Sequence, residues 1–221
     1  MAKIRESAPK NRSGSYDRLF GHEQLGELMS KVHSASIRAG KELEALIKER
    51  IDIVDDLDEF LDDLQNDVIH SGIFLVTKSV IKKSKLHING SEPDFIIFKD
   101  YHCYIIELKD GHVFDTKKVA GERASLYGFA DRNIEKLTNN ISVYFCSFNQ
   151  EDHHVIWDGF KRMIDFDEVM TGREFCELLE IDYDEIVKIR SRDTEDNINY
   201  FVQELWHIPE VRSLIADRLI L

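Results

Sequence analysis

The 221-residue chain is poor in residues that staple or break a fold: three cysteines, three prolines and 11 glycines. Cys103, Cys146 and Cys176 form no CxxC pair or other metal-ligand spacing. This excludes a disulfide framework and predicts free, buried thiols in a reducing compartment. With 43% hydrophobic and 32% charged residues, the chain is neither collagen-like nor wholly disordered. No stretch approaches the roughly 18 apolar residues that a membrane span needs. The opening MAKIRESAPKNRSGSYDRLFGHE has no apolar signal core, so a cytoplasmic protein without a membrane partner is expected. A glycine-rich phosphate loop, GxSxG and HExxH are all lacking.

Positive charge is also scarce. There are 29 Lys+Arg against 42 Asp+Glu, a formal net of −13, which taken alone argues against a polyanionic partner. The deficit is uneven, however. Residues 49–67 hold one basic and nine acidic groups, and residues 165–221 hold six and fifteen. Residues 68–164 hold thirteen and twelve, close to neutral. The total therefore predicts which faces point away from a polyanion, and does not exclude one.

What is there alternates between helical and strand periods. Gly14, Gly21 and Gly26 interrupt the polar first thirty residues, which read as a flexible arm with short helical pieces. From Ser34 to about Asn66, Leu43, Ile47, Val54 and Leu57 recur at helical spacing, with Leu46 and Ile51 beside them. The opposite face, from Asp52 to Asp63, is acidic and reads as solvated. Residues 72–77, 94–98 and 102–108 are short apolar, β-branched runs, hence strands. Lys99-Asp100-Tyr101 is short enough to join the last two as a hairpin. A helix follows over about 119–137, then a strand over 141–146. From Asp165 onward the pattern is mostly helical. Thr171 and Glu174 form a capping box, helical pieces follow over 183–191, 195–206 and 210–220, and Phe201, Leu205, Trp206 and Ile208 read as core. The order predicts an α/β domain around a small mixed sheet flanked by helices, with extra C-terminal helices.

One stretch carries chemistry. Asp94 opens a strand, and Glu107 and Lys109 close the next. Residues two apart on a strand share a face, so Glu107 and Lys109 project together. Hairpin pairing would bring Asp94 opposite them. Two adjacent carboxylates favour a hard divalent cation such as Mg²⁺, which keeps open positions for water and phosphate oxygens. A lysine beside them supplies a donor for an attacking water or a scissile phosphate. These residue types at this spacing point to metal-dependent phosphodiester hydrolysis.

Pro93-Asp94, twelve intervening residues, then Glu107-Leu108-Lys109 resembles the PD-(D/E)xK motif of restriction-endonuclease-like nucleases. The resemblance covers residues 35–150 and implies a restriction-endonuclease-like core. By position it makes Asp94 and Glu107 the metal ligands and Lys109 the catalytic lysine. Many members carry a further glutamate on the preceding helix. Gly40-Lys41-Glu42-Leu43-Glu44 fits that pattern, making Glu44 the fourth candidate and Glu42 its alternative. The stretch 107–118 is similar to the segment that begins at the motif lysine's strand in some type II restriction enzymes. The resemblance thus implies a type II restriction endonuclease: Mg²⁺-dependent cleavage of double-stranded DNA at a short site, leaving 5′-phosphate and 3′-hydroxyl ends. It further implies a homodimer and a cognate DNA methyltransferase. Residues 1–33 then form an N-terminal arm, 34–164 the nuclease core, and 165–221 a helical part packed on it. Another nuclease of the same fold (Mrr-like, repair or junction-resolving) is the alternative, and a non-catalytic DNA-binding or interaction protein a more distant one.

A second acid-x-Lys string, Asp115-Thr116-Lys117, comes after a glycine with no strand behind it and reads as a decoy or a DNA-contact segment. Lys78, Lys82, Lys83 and Lys85 place four positive charges in eight residues, just before the Pro-Asp strand, and are candidates for phosphate contact. Lys117, Lys118 and Arg123 are weaker ones. His102, His112, His153 and His154 read as loop histidines and not as a zinc site.

Overall fold

The computed structural model describes residues 2–8, 15–68, 71–138 and 140–219; Gly14 lies outside them. A 3-10 turn at Ile4–Glu6 precedes helices α1 (Ser15–Phe20), α2 (Glu23–Lys48) and α3 (Leu57–Gln65). Strand β1 (Ile73–Thr77), helix α4 (Lys78–Ile81) and strands β2 (Phe95–Lys99) and β3 (His102–Lys109) come after them. Next come α5 (Thr116–Asn133), β4 (Ile141–Ser147), α6 (His153–Gly159) and β5 (Val169–Thr171). Helices α7 (Gly172–Leu179), α8 (Tyr183–Ser191), α9 (Thr194–His207) and α10 (Pro209–Leu219) end the chain. None of the helices is long and apolar enough to cross a membrane.

The chain divides into two compact units, Met1–Leu46 with Asp184–Leu221, and Ile47–Tyr183. The first is helical. Asn197 of α9 holds the N-terminal segment, accepting from the Ile4 N–H at 2.8 Å and donating to the Ala2 carbonyl at 3.2 Å. The arm is thus more ordered than expected, and α2 begins at Glu23 instead of Ser34. Gly26 does not interrupt it, because a Cβ there would lie 1.7 Å from the Asp17 Oδ1 of α1. The glycine lets α1 fold closely against the helix. Residues 34–66 are not one helix either. Asp56 accepts from the Asp58 and Glu59 amides and starts α3 afresh, as short acidic side chains do at helix N-caps.

The second unit is built on a mixed five-stranded sheet in the order β1-β2-β3-β4-β5. The first three strands are antiparallel, and β4 and β5 run parallel to β3, so the expected small mixed sheet is present. The β2–β3 hairpin closes on the Lys99–His102 pair. Asp100 and Tyr101 form a two-residue turn, both at positive φ (50° and 62°), which suits the twist of the strands it joins. The parallel β3–β4 pair needs a crossover, and α5 supplies it. One sheet face, including Val76, Ile96, Phe98, Cys103, Ile105 and Phe145, packs with Leu57, Phe60 and Leu61 of α3 and Val119, Leu126 and Phe129 of α5. The three cysteines are free and buried, and Thr171 and Glu174 form the expected capping box. Strand β5 was not expected; three residues are too few to show a period.

Candidate active site

The antiparallel register carries the chain's acids to one end of the sheet. Phe95 lies opposite Ile106, so the next pair outward is Asp94 and Glu107. Asp94 leaves the β2 edge with both carboxylate oxygens engaged. Its Oδ2 accepts from the Leu108 N–H at 3.1 Å, and its Oδ1 from Lys78 Nζ at 3.2 Å. Asp94 is thereby tied to the strand bearing the other two motif residues. Lys109 Nζ lies 2.5 Å from Glu107 Oε1 and 2.7 Å from Glu122 Oε1. All three of those side chains are largely buried, between 11% and 18% exposed.

Glu122 was not anticipated. It stands on α5, thirteen residues past Lys109, and its Oε2 is buried with no hydrogen-bond partner. A signal for it exists: Val119, Leu126, Phe129 and Ala130 form the buried stripe of α5, and position 122 falls within it at helical spacing. A carboxylate amid an apolar stripe is costly unless it is paired.

The electrostatics of the Glu107–Lys109 pair are asymmetric. Burial pushes the Glu107 carboxyl above the usual carboxylate range; the Asp94 charge adds to this and Lys109 only partly offsets it. Burial also disfavours charge on Lys109, but Glu107 and Glu122 outweigh it and hold the ammonium above the ordinary lysine value. Lys109 is shared between two carboxylates, so it is over-compensated while Glu107 is under-compensated. At neutral pH Lys109 is a charged donor.

The remaining candidates are more dispersed. Lys82, Lys83 and Lys85 are exposed in and after the last turn of α4, and Lys117 and Lys118 are exposed in the first turn of α5. Asp115 accepts from the Lys117 and Lys118 amides, so the second acid-x-Lys string is a helix cap. Arg123 is engaged, with Nη2 2.9 Å from both Glu168 Oε1 and Asp165 Oδ2. Glu42 and Glu44 lie on α2 in the other compact unit, both half-buried. His102 opens β3 and His153 and His154 open α6, so these three are not in loops. Among the described residues, no three His, Cys, Asp or Glu side chains converge as a metal-ligating group.

These features define a class before any comparison: an α/β protein with carboxylates and one clamped lysine at the end of a mixed sheet. No family model matches the chain. It is 40% identical to the type II restriction enzyme HhaII of Haemophilus parahaemolyticus, over 221 aligned residues covering 96% of this chain and 97% of that protein. The chain therefore belongs to the type II restriction enzymes, which are site-specific endonucleases.

Proposed function

We propose that this protein hydrolyses phosphodiester bonds of double-stranded DNA at a short specific site with Mg²⁺, through a PD-(D/E)xK centre formed by Asp94, Glu107 and Lys109. One observation carries the reading. Asp94 and Glu107 meet across the hairpin, with Lys109 Nζ held 2.5 Å from Glu107.

The donor set fits a hard divalent ion. Asp94 raises the proton affinity of Glu107, an excess of negative charge that a cation relieves, and Glu122 keeps an unpartnered buried oxygen beside the cluster. Mg²⁺ commonly takes one or two protein carboxylates and completes its shell with water and phosphate oxygens. Asp94 and Glu107 would hold it. When bound, it supplies charge neutralisation at the phosphate and lowers the pKa of a water molecule.

The protein's own contribution is positioning. Lys109 stays an ammonium at neutral pH, so it acts as a hydrogen-bond donor that orients the attacking water or a phosphate oxygen, and not as a general base. Glu122 fixes the rotamer of Lys109 and keeps it charged. Lys78 is within reach of Asp94 and can exchange that contact for a phosphate. Lys82, Lys83, Lys85, Lys117 and Lys118 supply sequence-independent backbone contacts. Glu44 is assigned as the further acidic residue that the family resemblance implies. The products carry 5′-phosphate and 3′-hydroxyl ends. The protein acts in the cytoplasm as a homodimer, alongside a DNA methyltransferase that protects the host.

The test is incubation of purified protein with plasmid and Mg²⁺, with the ends then sequenced. Discrete fragments sharing one terminal sequence, ligatable without phosphorylation, are expected. A smear, branched-substrate preference or no cutting with any divalent ion contradicts the reading.

A further inference from the structure

The unit formed by Met1–Leu46 and Asp184–Leu221 presents an apolar stripe that its own fold leaves open. Ile198, Val202 and Trp206 recur every fourth residue along α9 and are 58%, 56% and 50% exposed. Helical spacing alone places Trp206 in the core with Phe201, Leu205 and Ile208. In the structure Ile208 is buried, Phe201 and Leu205 are half-buried, and Trp206 is half open. Every exposed residue from 198 to 206 is uncharged, Asn199 and Gln203 being the others. Such a face is unusual on a chain that is 32% charged, and more so in a C-terminal segment with fifteen acids against six bases.

We propose that the Ile198–Val202–Trp206 face of α9 is the self-association surface of this protein, with a second copy of the same chain as its occupant. Charge chooses the occupant. Two chains of net −13 repel unless they meet on neutral ground, and this face is neutral. DNA would seek cations, which the face lacks. Two-fold pairing is self-complementary. With α9 antiparallel to its mate about Val202, Ile198 packs on Trp206 of the partner subunit and the reverse. Glu195, in the first turn, then falls beyond the end of the partner helix. Wide aromatic anchors such as tryptophan commonly dominate an interface of this kind. The inference rests on the proposed function in one respect: cutting both strands of a duplex requires two centres, and each chain supplies one.

The experiment measures mass by analytical ultracentrifugation, without DNA or metal, for the full chain, Val202→Glu, and Ile134→Glu as an exposed control on another segment. Circular dichroism checks that each is folded. Twice the chain mass is expected for wild type and Ile134→Glu. For Val202→Glu the dissociation constant is expected to rise about thirtyfold or more. On supercoiled plasmid, Val202→Glu should accumulate nicked circles where wild type yields linear product. A monomeric wild type at tens of micromolar overturns the proposal, as does a folded Val202→Glu that stays dimeric. Because mass is read without DNA, failure of the nuclease reading would appear only in the plasmid assay.

Discussion

Two neighbouring residues of α5, Glu122 and Arg123, enter two ionic clusters of opposite construction. Arg123 points to a saturated one. Glu168, only 5% exposed, accepts from Arg123 Nε and Nη2 at 3.2 and 2.9 Å, from the Asp165 amide at 2.9 Å and from the Tyr127 hydroxyl. Its negative charge is fully answered. Glu122 points to an unsaturated one, where one lysine serves two carboxylates, a buried oxygen has no partner and the Glu107 proton is held too tightly. Fully satisfied buried networks rigidify a fold. Under-satisfied ones are costly and persist where chemistry uses the imbalance. The first cluster locks α5 to the segment before β5, and the second uses that rigid helix to hold Lys109.

Substitutions can separate the two. The largest effect is expected at the unsaturated cluster: Lys109→Ala or Asp94→Ala should lower the cleavage rate about a thousandfold or more while leaving DNA binding largely intact in a mobility-shift assay. Wild-type cutting by either variant would show that the site lies elsewhere. At the saturated cluster, Glu168→Ala should destabilise the fold by about 2 kcal/mol, toward the low side for a broken buried pair because Arg123 is partly exposed. Denaturant unfolding reads this directly.

The pH responses of the clusters differ too. Burial, with the Glu168 hydrogen bond, pushes the Tyr127 hydroxyl up to about 12 from an ordinary 10. A group held protonated more tightly in the folded state stabilises below its unfolded pKa and loses that contribution as pH rises. The Tyr127 contribution should therefore vanish between about pH 10 and 12, and Tyr127→Phe should flatten the alkaline limb of unfolding. Glu107 is also raised, so its ionisation at neutral pH costs stability. Glu107→Gln should gain up to about 1 kcal/mol at pH 7 while losing cleavage. The acid limb of wild-type cleavage should lie above the usual glutamate pKa and shift to lower pH with more Mg²⁺, which favours the ionised carboxylate. The smallest effect is at the surface: Lys117→Ala with Lys118→Ala should lower the salt slope of DNA binding by about 2.

Much of this was legible in the chain. Strands β1 to β4 show as apolar runs, and the hairpin followed from two short strands three residues apart, which in turn brought Asp94 to Glu107. The motif lysine and acids could be named because they are local to strand ends. Glu122 could not be placed without knowing that α5 begins at the Asp115 cap and so turns position 122 toward Lys109. The start of α2 was hidden because a glycine inside a helix reads as a break unless the neighbour it admits, here Asp17, is visible. Glu44 was named from a pattern on a helix, and no such local spacing links it to the hairpin.

The central claim is that α5 carries a structural cluster and a chemical one side by side. It is tested most directly by measuring plasmid cleavage and thermal unfolding together for Lys109→Ala and Glu168→Ala. The account predicts that Lys109→Ala loses cleavage and keeps its unfolding temperature. Glu168→Ala should unfold several degrees earlier yet cut at near wild-type rate per folded molecule. A Lys109→Ala variant that cuts normally, or a folded Glu168→Ala variant that does not cut, contradicts it.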